Sequence, residues 1–191
     1  MSKHVHSGAC ADMHKDLIEA CRKGSRTAQF KIYELYYRVM YNTALRIVGD
    51  PDDAEDVMQE AFLKAFRKLD TFSGKVSFGA WLKKIVINQA LDFIKLKKTT
   101  VSLDAIGERR GEEEEGSEEG EEYSMEWNVG TIKEAILALP EGYRIVLSLY
   151  LIEGYDHEEI ASILNISNAT SRTQYHRAKK KLLESIKKKR I

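Results

Sequence analysis

The chain has 191 residues, with 30 Lys and Arg against 30 Asp and Glu, and only two cysteines, Cys10 and Cys21. That length suits one domain or two small ones, and two cysteines give no disulfide framework. No apolar run approaches the roughly 20 residues of a membrane span, and the N-terminus lacks a signal peptide's apolar core, so a protein of the reducing cytoplasm is expected.

The neutral total conceals segregated charge. Asp104 to Glu126 holds 11 acids against Arg109 and Arg110, net −9, and Arg172 to Ile191 holds nine Lys and Arg against Glu184, net +8. A basic nucleic-acid-type surface and an acidic spacer share one chain. Two prolines and repeated 3.6-type patterns point to an all-α protein.

Met1 to Met13 is polar, with His4, His6 and Cys10, and His14 follows. The residue types suit a metal, but the spacing matches no metal-site pattern, so a disordered leader over 1–13 and no cofactor are expected. Helices follow over Asp16 to Cys21 and Ala28 to Val48, parted by Gly24-Ser25. The second carries Phe30, Tyr33, Leu35, Tyr36, Tyr37, Met40, Tyr41, Ala44, Leu45 and Val48. Their helical period favours core over base stacking.

Asp50-Pro51 opens the next helix, with Asp50 as cap, Pro51 at the first helical position and Asp53 in the first turn. Ala54, Val57, Met58, Ala61, Phe62, Ala65, Phe66 and Leu69 face inward. Asp52, Asp53, Glu55, Asp56, Gln59 and Glu60 face outward. These carboxylates have the residue types of a two-metal or acid–base site. They crowd a helix N-terminus, where anions are favoured anyway, and no His or Lys is spaced to partner them. A solvated or protein-binding acidic face is preferred to catalysis.

A loop, Thr71 to Gly79, precedes a helix over Ala80 to Leu96. Trp81, Leu82, Ile85, Val86, Leu91 and Ile94 are core-directed, and Lys83 to Lys98 holds five Lys against Asp92. A Trp beside cations after a Gly-bearing loop suits nucleic-acid contact, and it equally suits a buried anchor. Thr99 to Trp127 has no apolar period and reads as a flexible linker. Beyond it, Ile132, Ala135, Ile136 and Leu139 form one stripe. Pro140 breaks it, and Val146 to Leu151 supply the next core set.

Gly154 to Ile186 reads as a helix-turn-helix. Asp156 caps a first helix over His157 to Leu164, and Asn165 and Ser167 are turn residues. The second helix starts near Asn168 or Thr170, with an apolar stripe of Tyr175, Ala178, Leu182, Leu183 and Ile186. Its other face carries Ser171, Arg172, Gln174, Arg177, Lys179 and Lys181, polar groups for base edges followed by cations for phosphates.

In this order the segments resemble a bacterial sigma-70 family RNA polymerase sigma factor of the extracytoplasmic-function type, in the style of members from Bacteroidetes-type bacteria. DPDDAEDVMQEAFLKAFRKLDTF resembles the polymerase-binding region, and SFGAWLKKIVINQALDFIK the promoter-melting and −10 reading region. LPEGYRIVLSLYLIEGYDHEEIASIL and NATSRTQYHRAKKKL resemble the −35 reading domain. The resemblance implies two small helical domains joined by the acidic linker. Residues 14–98 would be sigma region 2, 99–128 the linker, and 129–191 sigma region 4.

It further implies that Asp53, Asp56, Gln59, Glu60 and Phe62 dock on core RNA polymerase. Ser73, Gly74, Lys75, Ser77 and Phe78 would form the pocket for a flipped −10 base, with Trp81, Lys84, Asn88, Asp92 and Lys95 lining the −10 surface. Thr170, Ser171, Arg172, Gln174, Tyr175 and Arg177 would meet the −35 element. Core polymerase, promoter DNA and an anti-sigma factor are the implied partners, and the chain itself would be no enzyme. Ala169 and Gln174 stand where the family commonly has Gly and Arg, so base preference does not carry over. A stand-alone helix-turn-helix regulator explains the C-terminal part alone. A metal nuclease would have to use the Asp52 to Glu60 carboxylates.

Overall fold

The computed structural model describes residues 14–102 and 128–188. The leader over 1–13 and most of the acidic linker lie outside the described residues. Among the described residues there are helices and no strands, in two domains.

The first domain comprises α1 (Lys15–Arg22), α2 (Arg26–Val48), α3 (Pro51–Arg67), a short 3₁₀ turn (Leu69–Thr71) and α4 (Phe78–Ser102). Each boundary has a local cause. Ser25 accepts from the Ala28 amide at 3.3 Å to start α2. Gly49, at φ 85°, ends it in the left-handed conformation that glycine adopts without penalty. Asp50 then accepts from the Asp52 and Asp53 amides at 3.0 and 3.1 Å, and Pro51 occupies the first helical position of α3.

Ser77 accepts from the Ala80 amide at 3.2 Å, so α4 begins at Phe78, slightly before the expected Ala80. Its far end runs to Ser102, past the expected Leu96. Of the added residues only Lys97 and Lys98 are good helix formers, and Lys97 reaches back to Asp53 of α3 at 2.6 Å.

α2, α3 and α4 pack on one another around Ile32, Met40, Ile47, Met58, Leu82 and Ile87, each at most 2 % exposed. Each such side chain contributes about 1.5–3 kcal/mol on burial. The stripe expected on α2 was too broad: Phe30, Leu35 and Tyr37 are exposed, whereas Ile32 and Ile47 are fully buried. The helix carries apolar groups all round, so composition could not choose the face that α3 and α4 cover. Tyr33 sits 4.9 Å from Phe62, and Tyr36 5.5 Å from Phe78, centroid to centroid.

The second domain comprises α5 (Val129–Leu137), α6 (Glu141–Leu147), a π-helical turn (Ser148–Ile152), α7 (His157–Leu164) and α8 (Asn168–Lys188). α6 is apolar on two sides, as a central helix must be. Leu147 joins Ile136, Leu139 and Ala178 in a small core between α5 and α8. Ile145, Val146 and Leu149, with Ile160 of α7, join the core of the first domain instead. The two domains are therefore docked, α6 against α2.

Candidate nucleic-acid interface

The reading unit is built from α7 and α8. Asp156 accepts from the Glu158 and Glu159 amides, both at 2.8 Å, and Glu159 accepts from the Asp156 amide at 3.0 Å. This reciprocal box satisfies three amides and fixes where α7 starts. Asn165, at φ 54°, reverses the chain, and Ser167 accepts from the Thr170 amide at 3.0 Å to launch α8.

The angle between the two helices is held by an aromatic stack. His157 lies 4.5 Å from Tyr150, nearly parallel, and Tyr175 packs 4.5 Å from Tyr150 and 5.7 Å from His157, so the three rings form a triangular cluster. His157 Nδ1 lies 2.9 Å from the Ser171 hydroxyl. Burial, then the neighbouring Arg172 and His176 charges, lower the His157 pKa, which favours a neutral ring for this contact.

The side chains expected at the −35 element divide into two sets. Thr170 and Arg172 are exposed, and Gln174, Tyr175 and Arg177 are half-buried. Arg172 Nε donates to Asn168 Oδ1 at 2.8 Å, which orients the guanidinium along α8. Ser171 is the exception, because it is wholly buried and engaged by His157. It joins α8 to α7 rather than facing a groove. A cleft of about 570 Å³ opens beside this unit, lined among others by His157, Arg172, Tyr175 and His176.

A second polar face lies on α4. Lys84, Asn88, Asp92 and Lys95 are exposed along it, and Trp81 is half-buried at its start. Trp81 packs at a tilt against Phe72 and Phe78, with ring centroids 5.3 and 5.5 Å away. Ser73, Gly74 and Lys75 are exposed in the preceding loop, whereas Ser77 caps α4. Phe78, expected in that loop's pocket, is 5 % exposed and forms the aromatic floor under the loop. On α3, Asp56, Gln59 and Glu60 are exposed, and Asp53 is paired with Lys97. Phe62, expected with them, is 2 % exposed and belongs to the core beneath. Its inward position follows from the same stripe as Met58 and Ala65.

Sequence patterns missed the residues that join the domains. Glu153 is 2 % exposed at its side chain and forms ion pairs with Arg46 of α2 and, at 2.8 Å, with Lys83 of α4. It also accepts from Thr43 at 3.2 Å. Burial raises its pKa, but Lys83 and Arg46 outweigh that and hold the carboxyl below its ordinary range. Arg144, 8 % exposed, donates to the Arg46 and Ile47 carbonyls at 3.0 and 3.2 Å. The one available signal was a charged residue set inside an apolar helix, between Tyr143 and Ile145.

Comparison with known proteins accounts for both halves. Residues 32–100 match the family model described as Sigma-70 region 2, and residues 130–182 match Sigma-70, region 4. The ECF RNA polymerase sigma factor SigW of Bacillus subtilis is 33 % identical over 189 residues, covering 92 % of this chain and 97 % of that protein. The ECF RNA polymerase sigma-E factor of Escherichia coli is 31 % identical over 176 residues, covering 85 % and 88 %. Among solved structures, the sigma factor RpoE of Bartonella quintana, in complex with the anti-sigma factor NepR, shares the fold. Its TM-score is 0.55 at 22 % identity, covering 82 % of this chain and 95 % of that one. Two helical domains in this order, with relatives that span nearly the whole length, show that the chain belongs to the sigma-70 family, as an RNA polymerase sigma factor of the extracytoplasmic-function type.

Proposed function

We propose that this sigma factor works by bivalent recognition, with residues 14–98 as region 2, 99–128 as the linker and 129–191 as region 4. The carrying observation is the pair of outward polar faces, one on α4 and one on the first turns of α8, both set on buried apolar side chains. On α8, Thr170, Arg172, Gln174, Tyr175 and Arg177 read or grip the −35 element, with Ser171 as an internal strut. On α4, Trp81, Lys84, Asn88, Asp92 and Lys95 meet the −10 strand, and Ser73, Gly74 and Lys75 accept a flipped base above the Phe78 floor. Flipping costs a few kcal/mol of unstacking, and a pocket that recovers part of it couples recognition to strand opening.

Asp53, Asp56, Gln59 and Glu60 present the docking face for core polymerase, supported from inside by Phe62. Tethering raises the effective concentration of the second reader once the first is bound. The covalent chemistry belongs to the polymerase, so this chain needs no catalytic residue. Its place of work is then the cytoplasm, where polymerase and promoter DNA meet. An anti-sigma factor is a further partner, supported by the Bartonella quintana sigma factor, whose complex contains one. The run ATSRTQYHRAKKKL supports a Bacteroidetes-type source.

The docking assignment is tested by reversing charge at Asp56 and Glu60 and measuring affinity for purified core polymerase by fluorescence anisotropy. Both side chains are exposed, so the fold should survive while binding weakens on the order of tenfold or more. Unchanged binding would remove the assignment.

A further inference from the structure

We propose that the cleft between α3 and α4 is a nucleotide-binding site, in which Lys64 and Lys68 of α3 hold a phosphate while Asn88 and Asp92 of α4 meet the edge of its base. The inference rests on the proposed reading of α4 as a nucleic-acid face. It extends that face onto α3, a helix so far assigned only to polymerase docking.

Charge is the first observation. The cleft, of about 360 Å³, is lined by three lysines, Lys64, Lys68 and Lys95, against one carboxylate, Asp92, a net of +2. Cations gathered in a cleft draw anions toward it. The cleft beside α7 and α8 has a different balance, with Arg172 against two carboxylates, Asp156 and Glu158.

Lys64 and Lys68 stand one turn apart on α3 and share a face. The helix dipole favours cations near this end, although like charges at that spacing repel. Neither effect accounts for Lys95, which borders the same space from another helix. Lys64 Nζ donates to Gln89 Oε1 at 3.1 Å, a neutral partner that leaves its charge uncompensated. Among the described residues, no carboxylate forms an ion pair with Lys64 or Lys68.

The second observation is the division of the lining. Leu91 is 6 % exposed, and with the half-buried Ile85 and Ile163 it gives the cleft an apolar side. Asn88 and Asp92 are exposed one turn apart on α4. A nucleotide needs these three things together: an apolar contact for the base face, polar groups for its edge and cations for its phosphate. A carboxylate accepts from the exocyclic amino group that cytosine and adenine carry and thymine lacks. The cleft lies at the small end of ligand sites, which suits one nucleotide unit. That unit is either part of a single strand or free in solution, and the chemistry is the same.

The test uses the full chain without polymerase. Anisotropy reads binding of labelled oligo(dC) of about 12 nucleotides over a salt series, with oligo(dT) for comparison. Calorimetry reads binding of dCMP, with deoxycytidine as the probe that lacks a phosphate. The double variant Lys64→Gln with Lys68→Gln alters no buried side chain. It should weaken oligo(dC) binding roughly tenfold at low salt and reduce the salt slope by about 1.4, at about 0.7 per phosphate contact. Lys64→Arg with Lys68→Arg should keep both. Asp92→Asn should narrow the preference for oligo(dC) over oligo(dT).

Loss confined to the strand assigns the site to a nucleotide within single-stranded DNA. Loss of dCMP binding as well, with deoxycytidine binding at least tenfold more weakly than dCMP, assigns it to free nucleotides too. Wild-type strand affinity and slope in the glutamine pair, with dCMP binding absent or unchanged, would overturn the site. An equal loss in the arginine pair would overturn the role of charge, and an unmoved base preference in Asp92→Asn would overturn the base contact. Strand binding that falls in Asn88→Ala yet ignores both lysines would leave the α4 face standing and remove the cleft alone. Failure of the proposed function reads out separately, as absence of promoter-directed transcription by the wild-type chain with core polymerase.

Discussion

Replacing Arg144 by Met probes the domain contact with little change in side-chain length. Arg144 is 8 % exposed and gives two hydrogen bonds across the contact, to Arg46 O at 3.0 Å and Ile47 O at 3.2 Å. A third, to Leu139 O at 3.4 Å, lies within its own domain and is long. Hydrogen bonds to charged groups contribute about 1.5–3 kcal/mol each. Two of them give roughly 3–6 kcal/mol gross, against the cost of burying a guanidinium, whose pKa burial already lowers.

Methionine removes that cost but leaves two helix-end carbonyls facing an apolar group. The net loss of docking is expected at about 2–4 kcal/mol, or roughly 30- to 1,000-fold in the docking equilibrium. Urea unfolding followed by far-UV circular dichroism reads it. The midpoint should fall by about 1–2 M at an unfolding slope near 2 kcal/mol per molar. The single transition should also split, with the smaller α5–α8 body unfolding first. A variant within about 0.5 kcal/mol of wild type, with one unchanged transition, would refute the assigned contribution.

Asp50→Ala removes the acceptor for the Asp52 and Asp53 amides and should cost about 1 kcal/mol, seen as a lower thermal midpoint. An unchanged midpoint would mean that Pro51 alone sets the start of α3. Glu153 has a folded pKa below its unfolded value, so its contribution is full above the ordinary glutamate range near 4.3 and is lost as pH falls through the folded value. The urea midpoint should therefore be insensitive to this group from neutrality to about pH 5 and then drop, and Glu153→Gln should remove that part of the acid dependence. His157→Ala deletes the ring between Tyr150 and Ser171 and should weaken −35 duplex binding several-fold through misplacement of α8, with the far-UV spectrum retained. Affinity equal to wild type would discard that positioning role.

Much of this architecture is local, and local features are legible. Asp50-Pro51 and the Asp156 box act within four residues of themselves, so the starts of α3 and α7 follow from neighbouring side chains. The helix-turn-helix is legible for the same reason, since its apolar stripe, turn residues and basic face lie within one continuous segment. Faces chosen by distant packing are less so. On α2, Phe30 and Ile32 have similar apolar character, and only the arrival of α3 and α4 decides that one is exposed and the other buried.

The same limit applies at the reading surfaces. Ser171 looks like any polar residue on the outer face of α8 until His157 is seen against it. Phe62 and Phe78 fall inside family-like motifs, yet support those surfaces from below. The contact of Glu153 with Arg46 and Lys83 joins positions 107 and 70 residues apart in the chain, with no periodic signal to announce it.

Run-off transcription with purified core polymerase is the most direct measure of the central claim, that this chain brings polymerase to a two-part start signal. Genomic fragments from the source organism serve as template, and start sites are mapped from the products. Discrete products that require this chain, and that weaken when Arg172 or Arg177 becomes Ala, are the predicted result. The same products with and without the chain, or none in either case, would contradict it.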